Sequence, residues 1–355
     1  LAARIREGEA ARLAQRGRVT YNRLTREEYV NTVQDLIGVH YDAEDPGGLL
    51  EDPEWKGFER LGSVLTLSAT HVEKYITAAE TVLNEAYPEK EIQYLEATTP
   101  AVILRPDRPH YERLKAEGLL DNLRYELVTN GEAFRGSNPY RDGLRFPGPG
   151  LYEFTYQVSG LVPPGGPPPR MQVYETKLDR VLFEQDITAP ENQPTIVTFR
   201  AHLPDERPPS IHVINLTGPP RHPRSTAHSR IPFISTKHER APWQMKITDQ
   251  QGQPMVPVLL IDWISMRGPL VTEQEQQRRD EYLPADGDSL AQARSGLDAM
   301  ARRAFRRRLK DGELDVYLAI VEGELAAGAP FPQAMKSAMT TMLCSKSFLY
   351  IAEGD

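Results

Sequence analysis

Residues 151–158, LYEFTYQV, decide the fold class of this chain. Aromatic and apolar residues alternate with polar ones, which is the period of a half-buried β-strand. Residues 195–203 repeat the alternation, and residues 211–216 and 255–266 are further strand-length apolar runs. Turns rich in proline and glycine separate these runs. The sequence therefore predicts an antiparallel β-sandwich or jelly roll over residues 120–270.

Helical patterns flank the predicted sandwich on both sides. Thr25-Arg-Glu-Glu28 is a capping box that opens one helix, and apolar residues spaced by three and four follow Ser68. They indicate an N-terminal helical domain over residues 1–95. A polar linker over residues 273–288 leads to further helices, which indicate a C-terminal helical domain over residues 288–355. We expect an α+β multidomain chain of three parts that continues in a longer polypeptide.

Composition excludes several classes of function. The net charge of -8 and the pI near 5.6 argue against nucleic-acid binding, and no apolar run is long enough for a membrane span. The single cysteine, Cys344, excludes an internal disulfide, a cysteine-rich metal site and covalent haem attachment within this chain. There is no Gly-x-Ser-x-Gly elbow. No catalytic signature emerges, and whether the chain is part of an enzyme stays open.

Several motifs resemble a known group of proteins. Residues 23–38 (RLTREEYVNTVQDLIG) and 57–68 (GFERLGSVLTLS), together with the tail motifs at 301–307 (ARRAFRR) and 348–350 (FLY), resemble helical domains of planctomycete cytochrome-c-associated (PSD-type) multidomain proteins of unknown function. Residues 260–270 (LIDWISMRGPL) resemble the closing strand of the carbohydrate-binding-like sandwich that often lies between those domains.

That resemblance implies an exported protein, periplasmic or in the cell envelope, with c-type haem on another domain. Its partners would be a cytochrome c domain or other segments of the same polypeptide, and an oligomer is compatible with the sequence. We expect a non-catalytic region whose sandwich binds a polysaccharide or a protein partner. Two alternatives stay open: part of an extracellular oxidoreductase that acts on polysaccharide, and a structural cell-envelope assembly protein.

Aromatic and polar side chains of the predicted sandwich are the candidate ligand-binding residues, because aromatic rings stack on sugars and fixed polar groups bind hydroxyls. The candidates are Tyr140, Arg141, Asp142, Tyr152, Tyr156, Tyr174 and Trp243. Sandwich core is the alternative for half or more of these aromatics. We expect Trp263 to lie in the core and the neighbouring Asp262 to bind loop amides.

An acidic loop offers a candidate calcium site at Asp42, Glu44 and Asp45, since hard cations take several oxygen ligands. Solvated loop charge is the alternative. No other cofactor is predicted in this chain. The stripe of Met335, Met339 and Met342 indicates helical core rather than haem ligation. A basic cluster indicates a solvated face with acidic partners from another domain: Arg302, Arg303, Arg306, Arg307, Arg308 and Lys310.

Overall fold

A computed structural model describes the chain over residues 20–43, 48–52, 68–90, 92–102, 106–107, 111–116, 118, 123–135, 146–204, 207–220, 249, 251 and 253–353. The helices of these residues are α1 (Arg26–Ile37), α2 (Ala69–Ala86), α3 (Tyr111–Ala116), α4 (Glu273–Tyr282), α5 (Leu290–Ala304), α6 (Asp315–Ala326), α7 (Phe331–Leu343) and α8 (Lys346–Leu349). The strands are β1 (Thr20–Arg23), β2 (Leu95–Pro100), β3 (Tyr125–Leu127), β4 (Ala133–Phe134), β5 (Gly150–Leu161), β6 (Arg170–Glu175), β7 (Arg180–Asp186), β8 (Thr195–Leu203), β9 (Ile211–Asn215), β10 (Val258–Gly268) and β11 (Tyr350–Glu353).

The chain divides into two compact units, and the first is built from both ends of the sequence. Residues Leu1–Glu91 and Val271–Asp355 form a helical unit, whereas Ile92–Leu270 form the second unit. One hydrophobic core runs through the helical unit. In it, the Tyr29 ring lies 5.0 Å from that of Tyr75 and 5.8 Å from that of Phe348, between ring centroids.

Polar contacts also join the two segments of the helical unit. Strand β1 pairs antiparallel with β11, so the first described residues lie beside the last. Arg279, which is 8 % exposed, donates from Nε to the Ile37 carbonyl at 3.0 Å and from Nη2 to the Gly38 carbonyl at 2.9 Å. The prediction of separate N- and C-terminal helical domains is therefore wrong, because each segment buries its apolar faces against the other.

Local capping signals set the start of several helices. The Thr25 capping box is present as predicted, and α1 ends at Gly38, whose φ of 77° is left-handed. The predicted linker 273–288 instead contains α4, which Thr272 and Glu275 open with another capping box. Its sequence is strongly polar and buries only Arg279 and Tyr282, so it lacks the apolar stripe by which helices are recognised.

The second unit is an antiparallel β-sandwich, as predicted. One sheet has five strands in the order β2-β10-β5-β8, with β3 also paired to β10, and the other has the order β4-β9-β6-β7. The alternating side chains of β5 and β8 point into a shared core. The unit begins at Ile92 rather than near residue 120, because β2 pairs with β10 and places Leu95 opposite Gly268.

Candidate functional site

A bulge in β10 changes which residues face the surface. Ile261 pairs with Val158, but the next pair is Trp263 with Gln157, so Asp262 is an extra residue. Without it, strict alternation would point Trp263 inward after Leu259 and Ile261. The next residue, Ile264, is buried instead, and the half-buried Trp263 shares the outer side of the sheet with Gln157. The expectation that Trp263 lies in the core is wrong.

Both the backbone carbonyl and the side-chain carboxylate of Asp262 make contacts that stabilise the bulge. Its carbonyl accepts from the Ala101 amide at 2.9 Å, and its carboxylate pairs with Arg124 Nε at 2.7 Å. Arg124 also donates to the Glu191 carbonyl at 2.9 Å and lies 3.3 Å from the Glu191 carboxylate. Asp262 thus binds a guanidinium through its side chain, not the loop amides that the sequence indicated.

Burial shapes the electrostatics of this cluster. Desolvation raises the pKa of Glu191 to about 7, against the opposing charge of Arg124, and Asp262 adds to the rise. Desolvation also raises the pKa of Asp262, again opposed by Arg124. The Arg124 guanidinium therefore pairs with two partly buried carboxylates, those of Glu191 and Asp262, and Asp262 is the neighbour of Trp263 in the chain.

Beyond the bulge, the register of β2, β10, β5 and β8 aligns outward side chains in three rows that cross the four strands. We call these rows together the outer face. The charged row is Glu96, Arg267, Glu153 and Arg200. The hydroxyl row is Thr98, Ser265, Thr155 and Thr198. The third row, which contains Trp263, is Pro100, Trp263, Gln157 and Ile196. Each row combines residues that are far apart in the sequence.

Side chains of the charged row form ion pairs with one another. Glu153 accepts from Arg200 Nε at 3.0 Å and from Arg267 Nε at 2.7 Å. Desolvation acts to raise the pKa of Glu153, but the hydrogen bonds from the two guanidinium groups outweigh it and leave the pKa below its usual value. The carboxylate is therefore ionised at neutral pH, and the row balances two acids against two bases.

The hydroxyl row is a line of short polar side chains. Thr98 Oγ1 donates to Ser265 Oγ at 3.0 Å, and the hydroxyls of Thr155 and Thr198 lie 3.3 Å apart. Neighbouring strands are ~4.8 Å apart, so the row extends over ~14 Å. Each hydroxyl offers one donor and two acceptor positions, and these internal bonds use only part of that capacity.

The predicted ligand-binding residues do not meet on the outer face where the structure describes them. Tyr152 and Tyr156 are fully buried, and Tyr152 donates its hydroxyl to the Gly148 carbonyl at 2.7 Å. Neither ring can stack on a ligand at the surface, so for these two residues the prediction is wrong and the core alternative holds. Tyr174 is half-buried on the other sheet, where its hydroxyl binds Asp179. The remaining candidates lie outside the described residues: Tyr140, Arg141, Asp142 and Trp243.

The acidic loop is only partly described. Asp42 is half-buried, whereas Glu44 and Asp45 lie outside the described residues, so calcium binding there stays a prediction. Asp52, from the same loop, pairs with the buried Arg23 and accepts from the Arg26 amide at 2.5 Å. Across the residues that the structure describes, no group of three or more His, Cys, Asp or Glu side chains is arranged to hold a metal ion.

In the C-terminal segment, the cysteine and the methionine stripe are buried or partly buried, and several arginines of the basic cluster form ion pairs. Burial raises the pKa of Cys344 to about 11, with a further contribution from Glu80, so the thiol is protonated at neutral pH. The methionine stripe lies wholly in the core, as predicted. Within the basic cluster, Arg302 pairs with Asp298, Arg303 with Glu281 and Arg307 with Glu313. These acidic partners belong to the same helical unit, so for these three arginines the prediction of partners from another domain is wrong.

The helices that the structure describes include none with the length and apolar character needed to cross a membrane.

Two family models match the two segments of the helical unit. Residues 22–88 match PSD3, described as a protein of unknown function (DUF1587), and residues 292–353 match PSD5, described as a protein of unknown function (DUF1595). The matches confirm the resemblance of both segments to PSD-type domains. Together they span less than half of the chain, and neither description states an activity.

Two solved structures are similar to part of this chain. One is the C-terminal carbohydrate-binding module (CBM6) of LamC, a laminarinase from Zobellia galactanivorans; it is 15% identical with a TM-score of 0.20, over 35% of this chain and 67% of that one. The other is a CBM6 module from Cellvibrio mixtus lichenase 5A in complex with cellotriose, 11% identical with a TM-score of 0.21, over 38% of this chain and 68% of that one. No curated protein matches the chain.

Proposed function

We propose that the sandwich is a non-catalytic binding module and that its outer face binds a glycan. The observation that carries this proposal is the bulge at Asp262, which turns Trp263 out of the core beside the hydroxyl row. Trp263 is half-buried on this face. Sugar recognition combines an aromatic ring that can stack on the sugar with polar groups that bind its hydroxyls, and the indole and the hydroxyl row are groups of these two kinds. The contacts of Arg124 with Asp262 and Glu191 hold this arrangement in place before any ligand arrives.

The helical unit suggests the wider context. Its resemblance to PSD-type domains supports the proposal that this region belongs to an exported, cytochrome-c-associated protein in the periplasm or cell envelope. There, the sandwich would attach the polypeptide to polysaccharide while haem is carried on another domain. Haem staining and absorption spectra of the natural full-length protein test this part, and a full-length protein without haem overturns it.

Trp263→Ala tests the site. We measure retention of the full 355-residue chain on a panel of soluble polysaccharides by affinity electrophoresis. The variant should weaken binding about five- to thirtyfold, since removal of a stacking aromatic anchor costs on the order of 1–2 kcal/mol. Trp263→Phe, which keeps a ring, should retain most of the binding. Circular dichroism of both variants checks that the sandwich remains folded.

Tyr174→Ala is the matched control, because Tyr174 is a half-buried aromatic on the opposite sheet. It should leave binding unchanged. If Tyr174→Ala abolishes retention and Trp263→Ala does not, the outer face is not the binding site. If the unaltered chain binds no polysaccharide, glycan binding itself is wrong.

A further inference from the structure

The charges of the outer face constrain which glycan it can take. Glu153 holds both arginines of the charged row, and Glu96 lies opposite Arg267. A uronate or sulfate bound to Arg200 or Arg267 would bring its negative charge close to the Glu153 carboxylate, and an amino sugar bound to Glu153 would bring its ammonium group close to the two guanidinium groups. The other two rows carry no ionisable side chain. A ligand without charge avoids either repulsion.

The direction of the rows constrains how a chain would lie. The hydroxyl row runs across the strands in steps of ~4.8 Å, a spacing comparable to one sugar residue in an extended chain. A polysaccharide laid across the strands therefore meets one hydroxyl at each step. A polysaccharide laid along a strand would instead meet one side chain of each row in turn: a charged group, a hydroxyl and then Pro100, Trp263, Gln157 or Ile196, depending on the strand.

The rows on either side limit branching. Trp263 and the 53 % exposed Ile196 lie on one side of the hydroxyl row, and the paired charges of Glu153, Arg200 and Arg267 lie on the other. A branch on the charged side would remove water from these ion pairs and offer only uncharged hydroxyls in its place, which is unfavourable because charged groups are costly to desolvate. An unbranched chain can lie along the hydroxyl row with its apolar ring faces toward Trp263.

From these features we infer that the outer face is specific for an uncharged, unbranched polysaccharide whose chain crosses β2, β10, β5 and β8 along the hydroxyl row. This inference rests on the proposed glycan binding and adds its substrate class and direction. Neutral oligosaccharides should bind more tightly as they lengthen, until they span the row at ~14 Å, and affinity should then level off. High salt should change this affinity less than twofold, because no ligand charge is involved.

Isothermal titration calorimetry of the full chain tests the inference. The probes are cello- and laminari-oligosaccharides of increasing length, branched galactomannan, anionic polygalacturonate and cationic chitosan. The double variant Thr155→Val, Thr198→Val keeps the β-branched shapes and removes both partners of one hydroxyl contact. It should weaken binding of the neutral unbranched probe about tenfold, because two hydroxyls that would bind the ligand are removed. Thr188→Val, at an exposed position outside the rows, should leave it unchanged.

The outcomes separate this inference from the proposed function. Binding of polygalacturonate or chitosan that is lost in Trp263→Ala, without binding of a neutral unbranched probe, overturns the inference and leaves glycan binding intact. Neutral binding that the double valine variant does not weaken also overturns the inference. Failure of every probe to bind overturns both.

Discussion

Replacement of Arg279 by methionine tests whether the two ends of the chain form one unit. Arg279 belongs to α4 in the C-terminal segment, and it donates two hydrogen bonds to the carbonyls at the end of α1 in the N-terminal segment. Methionine retains an unbranched apolar stem but cannot donate. The Ile37 and Gly38 carbonyls would then lose their donors at a site where Arg279 itself is 8 % exposed.

The expected loss of unfolding free energy follows from these contacts. A hydrogen bond to a charged group contributes ~1.5–3 kcal/mol, so two such bonds set the upper end of the effect. Removal of a buried charge also relieves its desolvation cost, which lowers the pKa of Arg279 in the folded protein. We therefore expect Arg279→Met to destabilise the helical unit by about 2–4 kcal/mol.

Urea unfolding of the full chain, followed by its helical circular dichroism, measures this loss. Arg294→Met is the matched control, because Arg294 pairs with Asp315 at the surface, where the two side chains are 60% and 64% exposed. Such pairs contribute about 0–1 kcal/mol. If Arg279→Met is no more destabilising than Arg294→Met, the two segments do not depend on each other and the one-unit architecture is refuted.

Two further predictions concern the same unit. In urea titrations, Gly38→Ala should lower the unfolding free energy by at least ~1 kcal/mol more than Gly328→Ala. Both glycines have a left-handed backbone, but only at Gly38 would the new Cβ meet a neighbouring side chain, that of Glu275 on α4, at 2.5 Å. Equal losses of unfolding free energy would contradict the packing of α4 on α1. Hydrogen bonds from Arg307, together with one from the Lys310 amide and against the opposing effect of burial, lower the pKa of Glu313 from 4.5 to about 2. Its stabilising contribution is therefore complete above pH 4.5 and is lost as pH falls toward 2. Glu313→Gln should therefore remove part of the acid sensitivity of the urea midpoint in that interval, and an unchanged pH profile would refute this role.

Local sequence signals predict the elements of this protein better than their assembly. The alternation at 151–158 and the capping box at Thr25 each depend on neighbouring residues, and the structure has both. The capping box at Thr272 is also local, but the helix it opens lacks an apolar stripe, so the sequence pattern predicts a linker there instead. The union of the two helical segments depends on contacts such as Tyr29 with Phe348, which no local pattern reports.

The candidate site was largely beyond prediction from the sequence. Alternation alone assigns Trp263 to the core, and only the pairing of β10 with β5 reveals the extra residue at Asp262. The hydroxyl row joins Thr98, Ser265 and Thr155 through strand registers that the sequence does not specify. Aromatic residues are the available signal, but alternation only places Tyr152 and Tyr156 on one face of β5, and the structure shows that this face packs into the core.

The pairing of Leu95 with Gly268 has a consequence for how this architecture arises and folds. The sandwich begins and ends on adjacent strands, so its two ends are held together by its own hydrogen bonds. For the helical unit, the intervening 92–270 segment then acts as a tight connection, whose closure cost is set by that pairing and not by its length. A domain whose two ends lie close together can be inserted into one exposed loop of another domain, and it can be replaced by a different inserted domain without changes elsewhere. A chain in which a short turn replaces residues 92–270 should therefore still form the helical unit.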